Sequence, residues 1–376
     1  MLKTNSRDLN SRKAFIILGN GFTIDFLNHY KNTIDEKITD KIDVCNLFRL
    51  GDRIKTPWDK KPGFLSYKTC QNLWTLGARP GNTIEESNSL IEEIITCANM
   101  YFDFADEPGL KAARRPMKDS LDGKIYLKAY LELMVYFHHL FSHYNSSISD
   151  HDLKLFLGRG KAWGWLDFFG RIKNKQYEKI TIVTYNYDLW LERILNALNV
   201  PFFVYGLEKG KKGAVEIIKP HGSISFIPNK TMDSTYEITY DWNNYVSNIE
   251  QLILKYEGLE QYYRGVLIPP AGDSSRIQAV APWAHGLRKR ASIIAKEVGK
   301  DDVQRADVVL CGISYWHVDR REIDTLLLKM NQDVEFTFIN PQPPRDLNAV
   351  LTSIFKNYIH QSSAASIGGL LDGKII

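Results

Sequence analysis

Apolar residues recur along this chain in two periods. Short β-branched or aliphatic runs occur at Ala14–Leu18, Thr181–Thr184, Phe202–Tyr205, Val215–Ile218, Val266–Ile268, Ala306–Cys311 and Val334–Ile339. Each is bounded by glycine, proline or asparagine, the pattern of a buried strand. Helical spacing appears over 84–106, Lys124–Tyr144, Trp163–Phe169, Leu189–Leu198, Trp283–Gly299, Arg321–Met330 and Asp346–Lys356. The strongest stripe is Tyr126, Tyr130, Leu133, Met134, Phe137, Leu140 and Phe141. Several turns between 31 and 83 are broken by Trp58, Pro62 and Pro80.

From about residue 175 onward strands and helices alternate, which predicts a mostly parallel sheet with helices on both faces. Residues 1–30 and 171–376 then form one α/β domain, and 31–170 form a mainly helical insertion after the first strand. Residues 1–12 read as a polar tail, and 107–120, with Pro108, Gly109 and Pro116, as a loop.

Composition narrows the class. The chain has 376 residues, 44% hydrophobic and 24% charged, which is ordinary for a globular protein and excludes a disordered or fibrous one. A net charge of +4 gives no reason to expect direct nucleic-acid binding. No apolar run reaches spanning length and no signal peptide opens the chain, so a cytoplasmic protein away from membranes is expected. Cys45, Cys70, Cys97 and Cys311 form no Cys-X-X-Cys pair. His138, His139 and His143 share one helix but lack an acidic partner, so no metal is expected.

The polar residues that carry chemistry sit at strand ends. The first strand runs into Gly19-Asn20-Gly21-Phe22-Thr23, followed by Ile24-Asp25. Glycines there let a backbone approach a ligand, and a helix N-terminus favours phosphate. Ile24 stands where a dinucleotide fingerprint needs its third glycine, which disfavours an ordinary dehydrogenase. The run Thr181–Thr184 passes into Tyr185-Asn186-Tyr187-Asp188. Asn186 and Asp188 can be a turn-former and an N-cap, or ligand contacts at the carboxyl edge of a sheet. Lys219-Pro220-His221-Gly222, Gly312-Ile313-Ser314 and Ile339-Asn340 end three further strands.

Taken in this order, the motifs resemble the sirtuin fold, and more closely the bacterial sirtuin-like NAD-hydrolases of anti-phage defence. Sirtuins carry Gly-Ala-Gly-X-Ser, Gln-Asn-X-Asp, His-Gly, Gly-X-Ser and a terminal Ile-Asn. Gly19, Gly21 and Thr23 match the first, and Asn186 and Asp188 the second. His221 and Gly222, Gly312 and Ser314, and Asn340 match the rest. The resemblance implies a sirtuin-like Rossmann-type sheet that takes NAD as substrate and releases nicotinamide and ADP-ribose. Asn186 would orient the ribose and attacking water, and His221 would be the general base. Gly19, Asn20, Gly21, Phe22, Thr23 and Asp25 would hold the pyrophosphate region. Gly312, Ser314 and Asn340 would line the adenosine side, while Asp188 would meet the carboxamide or brace its turn. Two departures stand out: both zinc-binding Cys-X-X-Cys pairs and the Gly-Ile-Pro-Asp-Phe-Arg loop are absent. They count against protein deacylation or ADP-ribosyl transfer. A non-cleaving NAD or ADP-ribose sensor is the other alternative. A toxic hydrolase whose chain ends soon after its last strand needs outside control. A HerA-type ATPase, a short Argonaute or self-assembly would supply it, with the apolar faces of 31–170 expected to form subunit contacts in a homo-oligomer. Such an enzyme would deplete NAD in abortive infection.

Overall fold

The computed structural model describes residues 13–58, 60–106, 121–159, 163–173, 177–208, 210–211, 213–229, 246–269, 281–300, 306–315 and 320–364. The tail 1–12 and the loop 107–120 expected from sequence lie outside them.

The apolar runs form strands β1 (Lys13–Leu18), β2 (Lys179–Thr184), β3 (Phe202–Val204) and β4 (Val215–Ile218). Three short pieces follow, β5 (Gly222–Ser223), β6 (Phe226–Pro228) and β7 (Leu252–Leu254). Then come β8 (Val266–Leu267), β9 (Ala306–Cys311), β10 (Glu335–Ile339) and β11 (Asn357–Gln361). Seven of them make one sheet in the order β11-β10-β9-β1-β2-β4-β3. All of its pairings are parallel. This is a Rossmann-like α/β sheet. Its central strands are apolar throughout because helices cover both faces, so Ile16, Ile17, Ile182, Val308 and Leu310 are buried. The run Val266–Ile268 does not join that sheet: β8 is only two residues long and pairs antiparallel with β5. The short strand β6 pairs likewise with β7.

The helices are α1 (Asn20–Thr33), α2 (Gln71–Thr75), α3 (Ile84–Asp106), α4 (Leu121–Ser146) and α5 (Asp150–Arg159). They continue as α6 (Gly164–Lys173), α7 (Trp190–Ala197), α8 (Trp283–Glu297), α9 (Arg320–Leu327) and α10 (Arg345–Ile354). Among the described residues, 31–170 add no strand to the seven-stranded sheet. Their helices nonetheless interlock with those of the sheet. Phe22, Phe26 and Tyr30 recur every fourth residue and form the buried stripe of α1. Phe26 meets Phe156 of α5 and Trp190 of α7, while Phe22 meets Trp165 of α6 edge-on at 5.3 Å. Each such ring contributes roughly 1.5–3 kcal/mol by burial. The excursion and the sheet therefore share one aromatic core.

The α4 stripe points into that core as well. Tyr130, Leu133, Phe137, Leu140 and Phe141 are buried, and Tyr126 and Met134 are half-buried. The adjacent His138 and His139 are tied down too, their Nε2–H groups donating to the Leu259 and Tyr263 carbonyls at 3.0 Å. The area of this stripe is used inside the subunit. Exposed large hydrophobics among the described residues are Tyr67, Ile84, Met100, Ile253, Ile293 and Leu328. No helix of the described residues is long and apolar enough to cross a membrane.

Register makes the carboxyl edge of the sheet level. Leu18 lies beside Thr184 on one side and Cys311 on the other, Val183 beside Ile218, and Ile339 beside Cys311. The chain builds β2, β4 and β3 on one side of β1, then crosses to β9, β10 and β11 on the other. The switch point lies between β1 and β9, where open α/β sheets bind ligands beyond their carboxyl ends.

Candidate active site at the carboxyl edge of the sheet

The strand-end motifs all come to this edge. At the switch point the two glycine turns meet backbone to backbone. The Gly19 N–H donates to the Cys311 carbonyl at 2.9 Å, and the Gly21 N–H to that of Gly312 at 3.1 Å. A Cβ on Gly21 would stand 2.3 Å from the Gly312 Cα, and Gly312 itself holds φ +63°. The glycines are required because two backbones touch there. Both amides are directed at the β9 turn, so neither faces a pyrophosphate in this arrangement.

The other residues expected at the pyrophosphate are also engaged internally. Phe22 is core, packed on Trp163 and Trp165. Asp25 accepts from the Trp163 indole at 2.7 Å, and burial raises its pKa against that hydrogen bond and the nearby His29. Asn20 is exposed, its side chain donating to the Val44 carbonyl at 3.2 Å.

Thr23 is fully buried and joins the first turn to the second. The Asn186 side-chain amide donates to Thr23 Oγ1 at 3.1 Å, and that hydroxyl donates to Asp188 Oδ2 at 2.6 Å. The other Asp188 oxygen accepts from the Trp190 N–H at the start of α7, 3.2 Å away. Asp188 therefore braces its turn. Burial raises its pKa, against the opposing influence of Lys219 and the Thr23 hydroxyl. Lys219 holds the same turn from the end of β4: its Nζ donates to the Asp188 carbonyl and to Glu192, each at 2.7 Å. The Lys219–Glu192 pair is buried at both ends, so removing one partner costs roughly 3–5 kcal/mol. These ties fix the backbone on which Asn186 sits.

Along this extended segment side chains alternate. Asn186 and Asp188 turn toward Thr23, whereas Tyr185 and Tyr187 turn toward the β4 side. The Tyr185 ring meets His221 edge-on at 4.8 Å, and the Tyr187 hydroxyl donates to the Ile268 carbonyl. The His221 Nε2 lies 3.3 Å from Glu322 Oε2, and Arg288 Nε lies 3.2 Å from the same oxygen. Burial would push Glu322 up. The Arg288 charge, with hydrogen bonds from His221 and Tyr185, holds its carboxyl below the usual range instead. An ionised Glu322 accepts, so His221 carries its proton on Nε2 and leaves the Nδ1 lone pair for other work. His221 is only 3% exposed and Asn186 8%. The structure thus brings His221 to the residue beside Asn186, while the two side chains have separate partners.

On the far side of the switch point, Ser314 is exposed and Asn340 half-buried. The Asn340 amide reaches the Ile313 carbonyl at 3.4 Å, and its oxygen accepts from the Gln342 N–H. Among the described residues, no group of three or more His, Cys, Asp or Glu side chains is arranged to hold a metal ion.

No protein-family model matches the chain, and no curated protein matches it. The site must be read from its own geometry. Four of its members lay outside the sequence reading. Tyr185 and Lys219 sat unremarked inside the motifs, Glu322 was one charge among several in Arg320-Arg321-Glu322-Ile323-Asp324, and Arg288 lay in a basic run.

Proposed function

We propose that this protein is a sirtuin-like NAD+ glycohydrolase, cleaving the nicotinamide–ribose bond to give nicotinamide and ADP-ribose. One observation carries the proposal. An asparagine and a histidine backed by a buried carboxylate stand at the carboxyl ends of the neighbouring strands β2 and β4. The sirtuin-like order of the strand-end motifs supports the choice of substrate.

The reaction asks for little more. The bond from C1′ to the nicotinamide nitrogen breaks, its electron pair leaving with nicotinamide, through an oxocarbenium-like state of the glycosidic type. A water oxygen then bonds to C1′ and gives up a proton. The Asn186 carbonyl oxygen, which accepts nothing among the described residues while one amide hydrogen is given to Thr23, is the group to orient that water or a ribose hydroxyl. His221 Nδ1 takes the proton, and Glu322 steadies the ring and its resulting charge. At 3.3 Å the His221–Glu322 contact is at the long end for a hydrogen bond and is expected to shorten with substrate bound. In a cell the outcome would be NAD depletion in anti-phage defence, under a partner's control.

The burial of His221 favours one competing reading, a fold that binds NAD or ADP-ribose without cleaving it. Purified protein incubated with NAD separates the two by nicotinamide release. Asn186→Ala should fold and lose about 100-fold in turnover, and His221→Ala should lower kcat more than it raises KM. Turnover by Asn186→Ala within a few-fold of the parent sinks the assignment. Binding of NAD with no nicotinamide released supports the sensor.

A further inference from the structure

A cavity of about 650 Å³ lies between α8 and α9. That size is typical of a small-molecule site. Its rim is cationic: Lys289 and Lys296 from α8 face Arg321 from α9 and Lys329 just beyond it, and His285 adds an imidazole. Arg288 and Glu322 close its inner end. Five cationic side chains thus oppose one carboxylate, an excess as large as the +4 of the whole chain. Glu322 is already taken by Arg288 and His221. Among the described residues Lys289, Lys296, Arg321 and Lys329 have no ion-pair partner. Ser292 and Thr325 add hydroxyls to the wall.

Like charges at this density repel unless an anion joins them, and the geometry restricts which anion. Lys289 and Lys296 are two helical turns apart, about 10 Å along the axis. A chain of two or three phosphates matches that spacing better than a single one. Among the described residues no Phe, Tyr or Trp lines the cavity, so charge rather than base stacking dominates its lining. We propose that the groove between α8 and α9 is a binding site for a compact oligophosphate anion, such as the polyphosphate of a nucleotide, and that its inner wall relays occupancy to His221. The relay is one side chain long. Arg288 forms part of the wall and contacts Glu322, whose same oxygen meets His221. A phosphate that draws the Arg288 guanidinium toward itself loosens its hold on Glu322, and the His221 ring follows.

Calorimetry with inorganic tripolyphosphate tests the binding on the full chain. Saturable binding is expected, weakened about 10-fold or more in Lys289→Glu/Lys296→Glu. Lys154→Glu, an exposed lysine on α5, should leave it unchanged. Binding that is undetectable at millimolar tripolyphosphate, or equally sensitive to both variants, overturns the site. A 12-nucleotide single strand that binds more tightly than tripolyphosphate, with affinity growing with length, overturns the compact ligand in favour of a nucleic-acid backbone. Asn186→Ala should bind tripolyphosphate like the parent, so the site stands or falls separately from NAD cleavage. For the relay, tripolyphosphate should shift the imidazole C–H resonance that disappears in His221→Gln. A saturated protein with that resonance unmoved removes the relay.

Discussion

The reading of the carboxyl edge rests on Thr23, and Thr23→Val tests it with almost no change of shape. Valine has nearly the shape of threonine at a position with no solvent exposure, so the change is chiefly chemical. What disappears is the hydroxyl that donates to Asp188 at 2.6 Å and accepts from Asn186 at 3.1 Å. A hydrogen bond to a carboxylate is worth about 1.5–3 kcal/mol, and stranding a buried amide donor costs about 1–3. Because the losses share one network they do not add fully, and about 3 kcal/mol is expected at neutral pH. Thr23→Ser keeps the hydroxyl and should lose only about 1 kcal/mol for its methyl. The deficit must also depend on pH. The hydroxyl holds the Asp188 pKa down against burial, which already places it above the ordinary 3.8. Its loss raises that pKa further. A carboxyl whose folded pKa is raised contributes stability below its unfolded pKa and loses it as pH rises through the folded one. The valine deficit should therefore be larger at pH 7.5 than at pH 5. Urea unfolding at both pH values, with nicotinamide release in parallel, gives the numbers. A valine variant within 0.5 kcal/mol of the parent at pH 7.5, or an equal deficit at both pH values, refutes the network.

Three further outcomes follow from the same structure. Glu322→Gln leaves Arg288 without its carboxylate and should destabilise by about 3 kcal/mol in urea, with lower kcat for NAD cleavage, and Arg288→Met added to it should recover much of the stability; Glu322, held below the usual range, contributes stability above its unfolded 4.5 that is lost as pH falls through its folded pKa, and the glutamine variant should lack that part of acid unfolding. Burial pushes His138 down to about 3, helped by His139, and burial pushes His139 down to about 4; the unfolded chain takes up protons below about 6.5 that the native state refuses, so stability should drop by about 1.4 kcal/mol per pH unit for each histidine, and a urea midpoint unchanged between pH 7.5 and 5 contradicts this. Gly312→Ala, whose Cβ would lie 2.2 Å from the Gly21 Cα at φ +63°, should cost more than about 3 kcal/mol or prevent folding, while Gly81→Ala, with nothing within 4 Å, should be neutral by the same thermal melt.

The sheet was legible where burial is complete. Strands β1, β2, β9 and β10 read as apolar runs because both their faces are covered. β11 escaped notice for the opposite reason. Asn357-Tyr358-Ile359-His360-Gln361 is an edge strand, pairing with β10 alone and half-exposed along its length, so neither an apolar run nor a clean alternation marks it. Residues 34–83 escaped too, since much of their order is side chain to backbone. Asp43 accepts from the Cys45 and Asn46 amides, and Asn46 from Phe48 and Ser87. Such local bonds leave no period in the sequence.

The site was legible in position more than in role. A glycine pair after a buried strand marks a place where something must come close, and sequence cannot say whether that is a phosphate or another backbone. Here the partner is Gly312, some 290 residues away, itself one of the glycines the motif order had picked out. The same ambiguity runs through Thr23, Asp188 and Asp25, polar residues whose hydrogen bonds close on the protein. Asn186 and His221 differ in keeping capacity to spare. The Asn186 carbonyl oxygen accepts no hydrogen bond among the described residues, and the Glu322 contact to Nε2 leaves Nδ1 as the basic nitrogen. A residue already satisfied by the fold gains little from a ligand, whereas one held firmly on one side with an unused lone pair on the other is preorganised for one. That distinction, rather than membership of a motif, separates the two residues proposed for chemistry from those that hold them in place.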